Sequence, residues 1–166
     1  QAIRFADRYP NTWFDLSCLG LEALRQVLDT VPADYRGRVF LVPNPLIPQP
    51  RLTDAEVQRL RAGLGAGPAD FLVGGVGRLV DSKGFDVLIR AFGEANLPCG
   101  RLAIVGDGRE RARLEALAGP AVTFTGYRAD AKVLFQAFDA FVSPSRSEPF
   151  GRVIVEALDA GVPVIA

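Results

Sequence analysis

From residue 71 onward the chain alternates unbroken apolar runs with amphipathic ones, and this alternation leaves few folds open. Phe71-Leu72-Val73-Gly74-Gly75-Val76 precedes Gly84 to Ala95, where Phe85, Leu88, Ile89 and Phe92 fall on one helical face. Leu102-Ala103-Ile104-Val105 precedes Arg109 to Leu117, with Leu114 and Leu117 apolar. Val122-Thr123-Phe124 precedes Asp130 to Phe138, with Val133, Leu134 and Phe138 turned inward. Phe141-Val142 precedes Phe150 to Ala160, and Val162 to Ile165 completes the pattern. An apolar run of roughly four to six residues without polar alternation is a strand covered on both faces. Strands and helices alternating through short loops make right-handed βαβ units, so the expected class is α/β, a parallel sheet with helices on both faces. Five such strands predict the order 3-2-1-4-5, and a ligand site beyond the carboxyl ends of strands 1 and 4, where the winding reverses.

The first 70 residues read differently. A helix is expected over Ser17 to Asp29, from the spacing of Leu21, Leu24 and Leu28, and a strand over Arg38 to Val42. Pro43, Pro45, Pro48 and Pro50 then impose an extended connection. Thr53-Asp54-Ala55-Glu56 is a capping box opening a helix to about Arg61, stopped by Gly63, Gly65, Gly67 and Pro68. A lone helix–strand pair cannot build its own core. Residues 1–45 are therefore read as the tail of a preceding domain with its linker, and residues 46–166 as the doubly wound domain. The chain opens at Gln1 without a charged and apolar leader, and is expected to start inside a longer protein.

Composition removes several function classes. Lys plus Arg and Asp plus Glu both number 19, so no general nucleic-acid surface is expected. Histidine is absent, which excludes Ser-His-Asp and Cys-His nucleophiles and every histidine-based metal motif. The two cysteines, Cys18 and Cys99, form neither a CxxC pair nor a disulfide framework, so a reducing cytoplasm is the expected compartment. The longest apolar stretches, such as Phe71 to Gly77, fall short of the ~18 residues needed to span a bilayer.

Two loops lie at the expected winding reversal. The first, Gly77-Arg78-Leu79-Val80-Asp81-Ser82-Lys83-Gly84, carries two cations and opens a helix, a combination suited to a phosphate or diphosphate. Charge alone favours reading Arg78 and Lys83 as solvated loop residues; their position favours the ligand. The second, Ser143 to Gly151, places Glu148 just before a helix and Glu156 within it, with seven residues between. Pro149 suits the helix's first turn, and Gly151 lets a ligand approach the backbone. Both carboxylates are then placed to accept hydrogen bonds from sugar or ribose hydroxyls. Spacing supports equally that Glu148 offsets the helix dipole and that Glu156 pairs with Arg152. Gly75-Val76-Gly77 and Gly106-Asp107-Gly108 each begin like a dinucleotide fingerprint but lack its third glycine, and no Walker A loop exists. Gly106 to Gly108 reads as a tight strand-to-helix turn passing near the ligand.

Taken in order, these pieces resemble a known family. They are Gly77-Arg78 through Lys83-Gly84-Phe85-Asp86, then Ile104-Val105-Gly106-Asp107-Gly108, Phe124-Thr125-Gly126-Tyr127, Pro144-Ser145-Arg146-Ser147-Glu148-Pro149-Phe150-Gly151 through Glu156-Ala157-Leu158, and Ala160-Gly161-Val162-Pro163-Val164-Ile165-Ala166. The set resembles the Rossmann-like, nucleotide-sugar-binding C-terminal domain of retaining GT-B glycosyltransferases of family 4, the group 1 transferases, over about residues 38–166. Pro43-Asn44-Pro45 resembles that family's interdomain linker. The resemblance implies that Arg78 and Lys83 bind the donor diphosphate and stabilise the leaving group. It implies that Glu148 contacts the sugar hydroxyls and that Phe150 and Gly151 offer backbone N–H groups. Glu156 would hold the ribose, Tyr127 and Arg128 would line the base, and Gly106 would pass nearby. A nucleotide sugar is then the substrate, a hexosyl group the cargo, and neither metal nor cofactor is expected. The acceptor would be a glycan, lipid or small molecule, as in polysaccharide biosynthesis, held by the N-terminal domain, with peripheral membrane association where it is lipid-linked.

This chain departs from the family pattern in lacking most of the N-terminal domain, with its acceptor site, histidine and Gly-rich loop, and in stopping before the final strand and crossing helix. It is therefore expected to bind donor weakly by itself and to transfer nothing. Two other classes compete. One is a non-catalytic nucleotide or sugar-phosphate binding module. The other is a glycosidase using Glu148 and Glu156, disfavoured because cations beside a helix N-terminus suit a phosphate and not an oxocarbenium ion.

Overall fold

Thr53 and Glu56 open a helix as their spacing predicts. In the computed structural model, which describes Asp29, residues 48–148 and residues 151–166, the Thr53 N–H donates to Glu56 Oε2 at 2.8 Å, and the Glu56 N–H donates to Thr53 Oγ1 at 3.4 Å. The helix they cap, α1 (Asp54–Gly63), runs slightly past the expected end at Arg61. Residues 48–53 before it have no regular secondary structure, consistent with Pro48 and Pro50. The chain divides into units Gln1–Pro45 and Leu46–Ala166, and the second is described here. The expected helix over Ser17 to Asp29 and strand over Arg38 to Val42 lie outside the described residues, apart from Asp29, which is helical.

Five strands follow: β1 (Phe71–Val76), β2 (Gly100–Val105), β3 (Val122–Gly126), β4 (Ala140–Val142) and β5 (Val164–Ile165). All pair in parallel, in the order β3-β2-β1-β4-β5. The winding therefore reverses between β1 and β4, as the alternation predicts. The connecting helices are α2 (Phe85–Ala95), α3 (Arg111–Leu117), α4 (Ala131–Leu134) and α5 (Arg152–Asp159). A short 3-10 turn, Asp81–Lys83, precedes α2, and another, Phe135–Ala137, follows α4.

The sheet separates two apolar layers, which is why the strands read as unbroken apolar runs. One layer packs Leu72, Ala103 and Val105 against Leu134, Phe135, Phe138 and Phe141. The other packs Val73, Leu102 and Ile104 against Leu79, Phe85, Leu88, Ile89 and Leu114. Phe135 meets Phe138 and Phe141 edge-on, with ring centroids 6.0 and 5.1 Å apart.

Two helix boundaries differ from expectation. The helix expected over Asp130 to Phe138 is one α turn and one 3-10 turn, and Phe138 is already extended. Leaving the helix early lays the Phe138 ring against Gly74 in β1, where a Cβ would stand 2.3 Å from the ring carbons. The helix expected from Phe150 begins at Arg152, because Gly151 caps it in the left-handed region at φ 71°. Among the described residues, no helix is long and apolar enough to cross a membrane.

Candidate functional site

The loops after β1 and β2 are joined backbone to backbone. The Gly77 N–H donates to Val105 O at 3.0 Å, the Leu79 N–H to Asp107 O at 2.9 Å, and the Glu110 N–H to Leu79 O at 3.0 Å. Such closeness explains the glycines of the Gly106-Asp107-Gly108 turn. A Cβ on Gly106, whose φ is 142°, would lie 1.9 Å from Gly77 O, and one on Gly108 would lie 2.4 Å from Leu79 O. The strand-to-helix turn expected here is present, and these two glycines are required by packing between loops.

The loops after β1 and β4 also meet, across the winding reversal. Pro144 O lies 2.1 Å from where a Gly84 Cβ would stand, and the Arg146 N–H donates to Ser82 O at 2.9 Å. This contact brings Lys83 and Glu148 together: Lys83 Nζ donates to Glu148 Oε2. The Ser145 hydroxyl donates to the same oxygen at 3.2 Å, and the Gly151 N–H donates to Glu148 Oε1 at 3.3 Å. Both side chains are largely covered, with 21% and 22% exposure. Burial works against charge on Glu148, but the bond and charge of Lys83, joined by the Gly151 N–H and the Ser145 hydroxyl, outweigh it and hold the carboxyl below its ordinary value. The carboxylate is therefore ionised and oriented before any ligand arrives. Arg78, in the same loop as Lys83, is exposed; its carbonyl accepts the Val80 N–H at 2.9 Å, and its guanidinium makes no hydrogen bond or ion pair with the described residues. Among the described residues, the two loops thus present Arg78 with a free guanidinium, and Lys83 held by the carboxylate of Glu148.

Arg146 has a larger part than the sequence suggested. Its Nη2 donates to both Asp86 oxygens at 2.9 Å, and its Nη1 donates to Asp81 O. Asp86 is buried in the first turn of α2. Its burial disfavours the charge, and the bonds and charge of Arg146 more than offset that, leaving its carboxyl below the ordinary value. The partners lie 60 residues apart, so no local spacing announces them.

The remaining expected site residues have contacts of their own. Glu156 pairs with Arg152 at 3.4 Å, the alternative its spacing left open, and lines a cavity of about 140 Å³ with Arg51, Lys132, Gln136 and Asp159. Arg51 closes one side of that cavity by donating to Asp159 O and Ala160 O at 3.0 and 2.8 Å. Among the described residues, no hydrogen bond or ion pair links Glu156 to Lys83 or Glu148. Tyr127 is 79% exposed. The Arg128 guanidinium forks onto Asp130 at 2.8 and 2.6 Å. Pro149 and Phe150 lie outside the described residues.

A parallel sheet wound in this order, with cations and a carboxylate at its reversal, agrees with the comparison to known proteins. The family model described as Glycosyl transferases group 1 matches residues 70–166. The chain belongs to that family. Among the relatives of this group 1 glycosyltransferase chain is the lipopolysaccharide core biosynthesis glycosyltransferase LpsD of Rhizobium meliloti, 46% identical over 105 residues, covering 60% of this chain and 30% of LpsD. A GDP-mannose-dependent alpha-mannosyltransferase of Mycobacterium tuberculosis is 43% identical over 97 residues, covering 57% of this chain and 25% of that protein. Among solved structures, Anabaena HepE in complex with UDP and glucose superposes with a TM-score of 0.63 at 35% identity, covering 69% of this chain and 34% of HepE. WaaG, a glycosyltransferase involved in lipopolysaccharide biosynthesis, gives a TM-score of 0.59 at 31% identity, covering 68% of this chain and 32% of WaaG. The matched region is thus about a third or less of each relative's length.

Proposed function

We propose that this chain is the donor-binding half of a retaining glycosyltransferase, which moves a hexosyl group from a nucleoside-diphosphate sugar to an acceptor held by a preceding domain. The observation that carries the reading is the Lys83–Glu148 pair at the winding reversal between β1 and β4, with the exposed Arg78 in the same loop as Lys83. Relatives named for a GDP-mannose donor or solved with UDP support it.

Breaking the sugar–phosphate bond puts negative charge on the departing diphosphate. Fixed cations aimed at that charge lower the barrier without having to reorganise. Arg78 is free to take one phosphate. Lys83 reaches the other by turning from Glu148, and Glu148 then accepts hydroxyls of the donor sugar. The Gly151 N–H, at the head of α5, faces the same carboxylate and adds a donor for sugar or phosphate. In this reading Phe150 offers a second backbone N–H, Glu156 holds the ribose hydroxyls, and Tyr127, Arg128 and Gly106 border the base. The reaction proceeds without a metal or cofactor. The whole protein works in the cytoplasm and reaches a membrane face where its acceptor is lipid-linked.

Calorimetric titration with UDP, GDP and ADP tests the donor site. One of the three is expected to bind, and Arg78→Ala is expected to weaken it by ~1–3 kcal/mol, the scale of a charge-assisted contact. Equal affinity in the wild type and Arg78→Ala would show that Arg78 does not hold the diphosphate. The same reading expects the isolated chain to transfer no sugar to an acceptor.

A further inference from the structure

Lys83 and Glu148 stand on separate loops, 65 positions apart, yet their side chains must meet within a hydrogen-bond length. Lys83 ends the short 3-10 turn Asp81–Lys83, and the loop from Ser143 to Glu148 has no regular secondary structure to fix that separation. Besides the packing of Pro144 on Gly84, Arg146, two positions before Glu148, joins the loops. Its main-chain N–H and Nη1 take the carbonyls of Ser82 and Asp81, the residues immediately before Lys83. Its Nη2 takes the Asp86 carboxylate, whose side chain is 11% exposed and anchored in the first turn of α2. The guanidinium contacts neither Lys83 nor Glu148 among the hydrogen bonds of the described residues.

We propose, resting on the donor-site reading, that Arg146 is a positioning residue, locking the loop after β4 onto the loop after β1 and so holding Lys83 and Glu148 where the diphosphate needs them. The role requires a guanidinium. Its planar fork serves a carbonyl and a carboxylate in divergent directions, whereas an ammonium is a single point charge.

Two readouts test this on Arg146→Gln and Arg146→Lys. The first is the ionisation midpoint of the Glu148 carboxyl, followed by carbon NMR without ligand. Lys83, the Ser145 hydroxyl and the Gly151 N–H face that carboxyl. With Arg146 replaced, the loops separate, Lys83 leaves, and the midpoint is expected to rise toward the ordinary glutamate value. The second readout is affinity for the nucleoside diphosphate that the wild type binds. It is expected to fall about tenfold in Arg146→Gln, as for loss of one charge-assisted contact, and to fall no further when Arg146→Gln is added to Lys83→Ala. Arg146→Lys should behave like Arg146→Gln. If either variant fails to fold, Asp86→Asn, which removes the anchor and keeps its shape, is expected to move the midpoint in the same direction.

An unmoved midpoint overturns the proposal, as does a full additional loss of affinity in the Lys83→Ala background, which would show that Arg146 acts independently of Lys83. If no diphosphate binds the wild type while the midpoint moves, the donor reading fails and the locking of the pair by Arg146 stands. If diphosphate binds and depends on Lys83 but not on Arg146, the proposal fails and the donor reading stands.

Discussion

Gly106→Ala is expected to cost about 4 kcal/mol of stability or to prevent folding, one of the largest effects a single methyl group can have. The position ends β2 and is pinned on both sides. Its own N–H donates to Gly126 O at 2.9 Å, and a Cβ would fall 1.9 Å from Gly77 O and 2.9 Å from the Gly77 carbonyl carbon. Nothing flexible is available to give way, because the obstacle is backbone held by the bond from the Gly77 N–H to Val105 O. The φ of 142° adds a conformational penalty that alanine cannot avoid. Moving the Gly77 loop aside would break the bond from the Gly77 N–H to Val105 O at the end of the β1–β2 pairing and displace Arg78 and Lys83. Urea unfolding of Gly106→Ala beside Gly93→Ala gives the comparison. A Cβ at Gly93, within α2, meets nothing within 4 Å, so that variant is expected to be neutral or stabilised by up to ~1 kcal/mol. A Gly106→Ala protein as stable as the wild type would contradict the described joining of the first two loops.

Arg61→Leu is expected to lose about 3 kcal/mol, through the opposite end of the sheet. Arg61 is 6% exposed, an unusual place for a cation. Its guanidinium donates to Ala137 O at 2.8 Å, to Asp139 Oδ2 at 3.0 Å and to Asp70 O. Asp139 Oδ2 also receives the Leu72 N–H at 2.7 Å. One side chain thus ties α1 to the residues leading into both β1 and β4, the two strands that flank the winding reversal. Leucine fills similar space but leaves the two carbonyls without this donor and removes the cation partner of Asp139. Unsatisfied buried groups and a broken buried pair together set the expected scale. Asp139 is 36% exposed on its side chain, so water recovers part of its loss and the carbonyls carry most of the effect. Arg61→Lys should retain little of the stability, because an ammonium cannot serve three acceptors spread around a fork. A loss below about 1 kcal/mol in Arg61→Leu would show that this seam does not hold the strands.

These two residues also show what the sequence could and could not reveal. Strand β1 is legible from its unbroken apolar run, and the strand order follows from alternation and handedness, because both depend on local pattern and on rules shared by all parallel sheets. The capping box of Thr53 and Glu56 is legible because both partners sit within one turn. The loops that carry Lys83 and Glu148 are legible as neighbours because the topology brings the ends of β1 and β4 together, whereas the ion pair between the two side chains is not. Nor is Arg61. It looks like an ordinary helix cation, and its acceptors lie up to 78 positions away. Arg146 is hidden by its separation from Asp86 in the same way. The Gly106 to Gly108 turn is legible as a tight strand-to-helix turn, but the carbonyls of Gly77 and Leu79 that require its glycines belong to another loop, which local sequence does not reveal. For Glu156, spacing left two roles open, and the ion pair with Arg152 is the one present in the structure.

The central claim is that a nucleoside diphosphate is held by the loops after β1 and β4. Amide NMR spectra of the chain, titrated in turn with UDP, GDP and ADP, test it most directly, and they register weak binding. The account predicts that one diphosphate shifts the amides of residues 77–84 and, Pro149 having none, of the other residues from Ser145 to Gly151, while those of Gly93, in the last turn of α2, and Gly119, beyond the end of α3, stay still. Shifts confined to the cavity around Arg51 and Lys132, or no shifts with any of the three, would contradict it.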